Sequence, residues 1–174
     1  MRLMKLAILS MLVCLMLPAA AVCEDLGVTV LSPLSMTPDA EGQSLELYCG
    51  PTQGFHREDS QTLNTSKDYV IFGQYDCWAM AAQGTAESFG PVGWVEAGSL
   101  ENLPYEPQLA FEDALIVTVE DETILTNDFE NLIVRIVPGT PVTLLAQLGE
   151  WGYVQAEFDD MLPIRAFIPM SAIL

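Results

Sequence analysis

Residues 69–100 read YVIFGQYDCWAMAAQGTAESFGPVGWVEAGSL, and a second version of the same plan, VTLLAQLGEWGYVQAEFDDMLPIRAFIPMSAIL, occupies residues 142–174. Each has a β-rich run, a polar turn, and a Trp one or two residues after an acid: Asp76 before Trp78, Glu150 before Trp151. The next aromatic follows at the same interval, 16 positions from Trp78 to Trp94 and 16 from Trp151 to Phe167. A branched residue comes next, Val95 or Ile168, and an aliphatic closes each copy, Leu100 or Ile173. Identity between the copies is low while the spacing of the anchors agrees, which is the signature of a repeated small supersecondary unit.

The alternation within each copy is that of strands. Trp151, Tyr153 and Gln155 alternate with Gly152, Val154 and Ala156, so one face is small and aliphatic and the other carries rings. Trp78 and Met80 alternate with Ala79 and Ala81 in the same phase. This predicts three short antiparallel strands per copy, with Val154, Ala156, Ile168, Ala81 and Val95 in the cores. The polar stretches 83–90 and 157–163 read as the returning turns. Upstream, Leu45 to Cys49 reads as the opening strand of the first unit, and Gly50 to Gly54 turns into a long loop reaching Lys67. Ala114 to Val119 is a strand by its β-branched content, opening the second unit or bridging the pair. Leu125 to Asp128 reads as a strand giving way to a turn. Residues 24–44 form a lead-in with one strand at Val28 to Leu31, and no stretch calls for a long helix.

The amino-terminal 23 residues read as a secretory signal: Arg2 and Lys5, an apolar run from Leu6 to Leu17, then small residues up to Cys23. The run falls short of the roughly 20 apolar residues a membrane span needs. Cleavage after Ala21 or Cys23 yields a secreted chain with no transmembrane segment. Acylation of Cys23 is the alternative, although bulky Val22 stands where small residues are preferred. Removing the signal takes Arg2 and Lys5 with it, leaving 4 basic residues against 24 acids, a net charge of 4 − 24 = −20. Such a surface argues against nucleic acid and against anionic polymers or lipids, and it suits solubility outside the cell or steering of a basic partner.

No catalytic constellation emerges. His56, the single histidine, sits beside Arg57, Glu58 and Asp59 in the predicted loop, as a solvated residue does. Cys49 and Cys77 form no C-x-x-C pair, and the acidic runs Glu120-Asp121-Glu122 and Asp159-Asp160 lack the glycine-centred spacing of a calcium loop. The expectation is a protein with no enzymatic activity, no metal site and no cofactor.

The segments GEWGYV and RAFIP in the second copy, with DCWAM and GPVGWV in the first, resemble the Src-homology-3-like domains that bacteria export. The likeness extends to LELYCGPTQGF ahead of the first copy. It implies an all-β fold: two small Src-homology-3-like barrels in tandem, over 45–103 and 114–174, joined by a connector at 104–113. It also implies a groove with Trp78 and Trp151 at the acid–Trp positions, Pro169 beside the second, and Tyr48 and Tyr153 as further contacts. In the resembled fold Cys49 and Cys77 border one groove, which favours a disulfide between them, with unpaired thiols or a pairing to Cys23 as alternatives. Glu96 stands in place of the groove proline in the first copy, and Ser99 and Ala172 replace the groove tyrosine, so recognition of proline-rich helices is not implied. The functional expectation is a binding or adapter protein for cell-wall (peptidoglycan) peptide or another extracytoplasmic ligand. The alternative is a structural protein whose barrels pack together and meet a protein partner through an acidic surface. Exposed tryptophans favour the first, buried ones the second.

Overall fold

A computed structural model describes residues 26–55, 57–101, 103 and 108–173, and for residues 57–60 the backbone alone. The predicted signal and His56 lie outside the described residues. The chain is mostly β, without an α-helix among the described residues. After a short β1 (Thr29–Val30) come β2 (Leu34–Met36), β3 (Ser44–Tyr48), β4 (Arg57–Asn64), β5 (Tyr69–Tyr75), β6 (Trp78–Thr85) and β7 (Ser88–Glu96), closed by a 3-10 turn at Ala97–Ser99. The second set is β8 (Leu115–Thr118), β9 (Thr123–Leu125), β10 (Val134–Ile136), β11 (Pro141–Leu148), β12 (Trp151–Ala156) and β13 (Ile164–Pro169), closed by a 3-10 turn at Met170–Ala172.

The strands lie in three sheets: β2-β5-β6-β7-β3-β4, then β1-β11-β12-β13 with β8 also on β11, and the pair β9-β10. Their registers reveal the repeat in full. Trp78 to Trp151 and Trp94 to Phe167 are the same distance apart (151 − 78 = 73 and 167 − 94 = 73). At that offset the pairings coincide, Ala79 with Val95 matching Gly152 with Ile168. Leu34 pairs with Ile71 as Leu115 pairs with Leu144, so β2 matches β8. Tyr48 pairs with Trp94 as Thr126 bridges to Phe167, so β3 matches β9, and β4 matches β10 as the neighbour of each. Even the irregularities recur: both β5 and β11 carry a bulge, at Phe72 and Leu145, whose extra residue is buried. The hairpins beside them turn through two residues, with Asp76 (φ 54°) and Gly149 (φ 58°) in the left-handed conformation such turns require.

Three hydrophobic clusters follow from this doubling. Tyr69, Ile71, Ala79, Ala81 and Val95 pack with Leu47 and Leu63 inside the first repeat. Leu144, Val154, Ala156, Ala166 and Ile168 pack inside the second. The third cluster belongs to both: Phe72, Met80, Val92 and Trp94 of the first repeat meet Leu145, Ala146, Tyr153 and Phe167 of the second. Strands β6, β7, β12 and β13 are therefore buried on both faces. The alternation in the sequence is real, but the ring-bearing face meets the other repeat rather than water.

The stretches read as lead-in and connector are part of this architecture. Thr29 and Val30 run parallel to β11 of the second repeat, and the Leu31 amide donates to the Gln147 carbonyl at 2.8 Å. Gln108 bridges in parallel to Gln74 of the first repeat, and the Leu109 amide donates to the Gln74 carbonyl at 2.6 Å. Each repeat's leading segment thus crosses to the other repeat, and Leu31 and Leu109 are both buried in the shared cluster. A further reciprocal pair ties the seam: Arg165 N–H to the Cys49 carbonyl at 2.7 Å, and Val92 N–H to the Asn127 carbonyl at 2.8 Å. The predicted loop from Gly50 to Lys67 also contains β4, whose partner is β3.

Tyr69 illustrates how tightly the first core is sealed. Its ring is fully buried and its hydroxyl donates to Asp39 at 3.2 Å. Burial above all, with the negative charge and hydrogen bond of Asp39, pushes the phenol up to about 12. An unfolded tyrosine loses its proton near pH ~10, so the unfolded chain deprotonates first and stability falls as pH rises from there towards about 12. Unfolding free energy measured across that alkaline window should drop in the wild type. The slope should flatten in Tyr69→Phe; an unchanged slope would assign the loss to other groups.

Candidate functional site

The residues expected to line a groove are distributed along the seam. Trp78 is 7% exposed and packs edge-on against the partly buried Tyr48, ring centroids 5.5 Å apart. Tyr153 is 2% exposed, and its hydroxyl accepts a hydrogen bond from Trp94 Nε1 at 2.6 Å. Burial raises the Tyr153 phenol further than the Arg165 charge and the Trp94 bond lower it. Trp151 and Pro169 are opposite one another across β12 and β13, both partly buried. Trp151 rests against Phe129 at 5.2 Å. Phe129 has a left-handed backbone (φ 67°) held by Asp128, whose carboxylate accepts from the amides of Glu130 and Asn131 at 3.0 and 2.7 Å. The two halves pack these residues along the seam, with Trp78 and Tyr153 buried and Tyr48, Trp151 and Pro169 partly exposed.

The expected disulfide is corrected by the same geometry. Cys49 is buried and packs with the core of the second repeat, while Cys77 is exposed in the two-residue hairpin between β5 and β6, and no bond joins them. The chain after β3 carries Cys49 into the core of the opposite repeat. Among the described residues no group of three or more His, Cys, Asp or Glu is placed to hold a metal ion, and no helix is long and apolar enough to cross a membrane.

One constellation at the seam was not anticipated from the sequence. Ile164, Ala166 and Ile168 of β13 face the second core, which sends Arg165 to the seam side. There its guanidinium carbon lies 5.1 Å from the ring centre of Phe55, 5.4 Å from Phe111 and 5.9 Å from Tyr75. Phe55 comes from the turn after β3, Tyr75 from the end of β5, and Phe111 from the segment between repeats, where it adopts a left-handed backbone (φ 49°). Arg165 Nε donates to Gln155 Oε1 at 3.0 Å, directly across the β12–β13 ladder. Nη1 is buried with no hydrogen-bond partner, and among the described residues no carboxylate pairs with this arginine. Burial pulls the Arg165 pKa below its usual value, partly offset by Tyr153 and Tyr75. The ion pair of Arg135 with Glu122 is by contrast a surface contact, both side chains more than half exposed.

Gly50 is part of this arrangement: a Cβ there would stand 2.1 Å from Cγ of Phe55, so only glycine leaves the ring in place over the cation. In the sequence, Arg165 was visible as one of 6 lysines and arginines against 24 acids, and its partners come from four separate segments. Comparison with known protein families, with characterised proteins and with solved structures finds no match for the chain.

Proposed function

We propose that the protein is an exported, non-catalytic interaction protein whose two Src-homology-3-like repeats are fused into one body and meet a protein partner through the acidic exterior. The observation that carries this reading is the burial of Trp78 and Tyr153 between the repeats. Rings committed to the seam are unavailable to a ligand, whereas exposed acids such as Glu120 and Asp121 face outward, where they can steer a basic surface. The repeated strand order, the shared bulge and the 3-10 turn after the last strand of each repeat support the barrel assignment.

The wall-peptide reading retains one support, the partly exposed pair Trp151 and Pro169. The two separate in a paired experiment: chemical cross-linking of the exported protein in its native medium, and cosedimentation with isolated peptidoglycan. The expected result is a stoichiometric protein complex that weakens as salt rises and is lost on reversing the charges at 120–122. Salt-insensitive retention on peptidoglycan, abolished by Trp151→Ala, would replace this reading with the wall-binding one.

A further inference from the structure

We propose that Arg165, held between Phe55, Tyr75 and Phe111, is a receptor for a single carboxylate group. The repeat itself provides the first argument. At the 73-residue offset, Arg165 corresponds to Val92, Gln155 to Ala82, Tyr153 to Met80 and Tyr75 to Leu148. One of two equivalent places at the seam therefore carries four polar or aromatic-polar side chains, and the other carries four apolar ones. Val92, Ala82 and Met80 are buried in the shared cluster, so the architecture does not require a cation at this position.

The second argument is the chemistry left unsatisfied. A largely buried arginine is normally paired with a carboxylate, because an unpaired charge away from water is costly. The chain has 24 acids, yet among the described residues the side-chain hydrogen-bond partner of Arg165 is the neutral Gln155. Rings surrounding the guanidinium contribute cation–π attraction and leave its edge as the place for an acceptor. On that edge Nη1 is enclosed and has no acceptor, a condition that buried donors rarely tolerate. A planar carboxylate matches the guanidinium fork, and its one negative charge neutralises the one positive charge. The net charge of −18 disfavours phosphates of higher charge, and the three rings favour a carboxylate borne on an apolar body. This site is independent of any partner for the acidic exterior.

The test is a titration of the purified mature protein with sodium benzoate, read by calorimetry and by thermal unfolding. Benzamide, acetate and chloride serve as comparisons. Benzoate should bind saturably and raise the melting temperature, acetate should do so more weakly, and benzamide should have no effect. Arg165→Val installs the residue of the equivalent position and should weaken benzoate binding at least tenfold while circular dichroism shows the fold retained. Arg165→Lys, which keeps the charge without the planar edge, should also weaken it and serves if the valine variant does not fold. Absence of saturable benzoate binding by the wild type overturns the proposal. So does equal binding by the folded variants, or a chloride effect equal to that of benzoate, which would mark an adventitious ion only.

Discussion

Trp94→Ala should lower the stability of the entire chain by about 3–5 kcal/mol, the range for deleting a large buried ring. The indole is fully buried, donates from Nε1 to Tyr153 at 2.6 Å, and stands edge-on to Phe111 at 6.5 Å. Its removal opens a void where both repeats and the connecting segment meet, and takes the donor from a buried phenol. Against the ~5–15 kcal/mol that holds a typical domain together, this is a large fraction. Because the shared cluster draws on both halves, the loss should appear as a single shifted transition. Denaturant unfolding followed by far-ultraviolet dichroism and by fluorescence of the remaining tryptophans should give coincident curves with one lowered midpoint. Trp94→Phe, which copies the residue at the equivalent Phe167, should cost less, about 1–3 kcal/mol from the lost hydrogen bond and volume. Two separate transitions in Trp94→Ala would mean that the repeats fold independently.

The second large effect concerns separation of the halves. Residues 26–101 and 108–174 produced as separate polypeptides should each fail to give a folded monomer. The first fragment lacks Leu109 and its backbone bond to Gln74, and it exposes Phe72, Met80, Val92 and Trp94. The second lacks Leu31 and its bond to Gln147, and it exposes Leu145, Tyr153 and Phe167. Small β units bury little surface of their own, and losing one face of the sheet leaves each below what folding demands. Size-exclusion chromatography and circular dichroism of each fragment should show unfolded or self-associated material, and mixing the two should restore a one-to-one folded complex. A dispersed, folded monomer of either fragment would show that the seam is dispensable.

The sequence makes the repeat legible because local patterning sets it. The 16-residue spacing of aromatics survives since each ring must return to the same face after one hairpin, and the core aliphatics Val154, Ala156 and Ile168 follow from period-two alternation. What alternation does not specify is the medium on the far side of a strand. Tyr153 and Trp78 face away from their own cores, and nothing local distinguishes solvent from a second repeat. The crossing of residues 29–31 and 108–109 is invisible for the same reason, as two or three residues carry no period. Cys49 shows how far this matters. The resemblance implied a pairing with Cys77, whereas Cys49 is packed into the core of the second repeat and no disulfide joins the two. Arg165 could have been singled out by its rarity, but Phe55, Tyr75 and Phe111 are scattered in sequence, and only the assembled seam places them around it.

The exchange of leading segments has a consequence for how the two copies can change. Two identical chains exchanging arms about a common axis would be obliged to carry every substitution twice, once on each side. An arginine placed at one seam position would then face its own duplicate across the same cluster, and a ring inserted to fill a gap would be inserted in both places. Covalent succession of the copies lifts that obligation. Arg165 occupies one side, and the matching strand position on the other side carries Val92. The chain keeps the interlocked geometry of a pair while each side is free to specialise, and it does so at a fixed stoichiometry that dilution cannot undo.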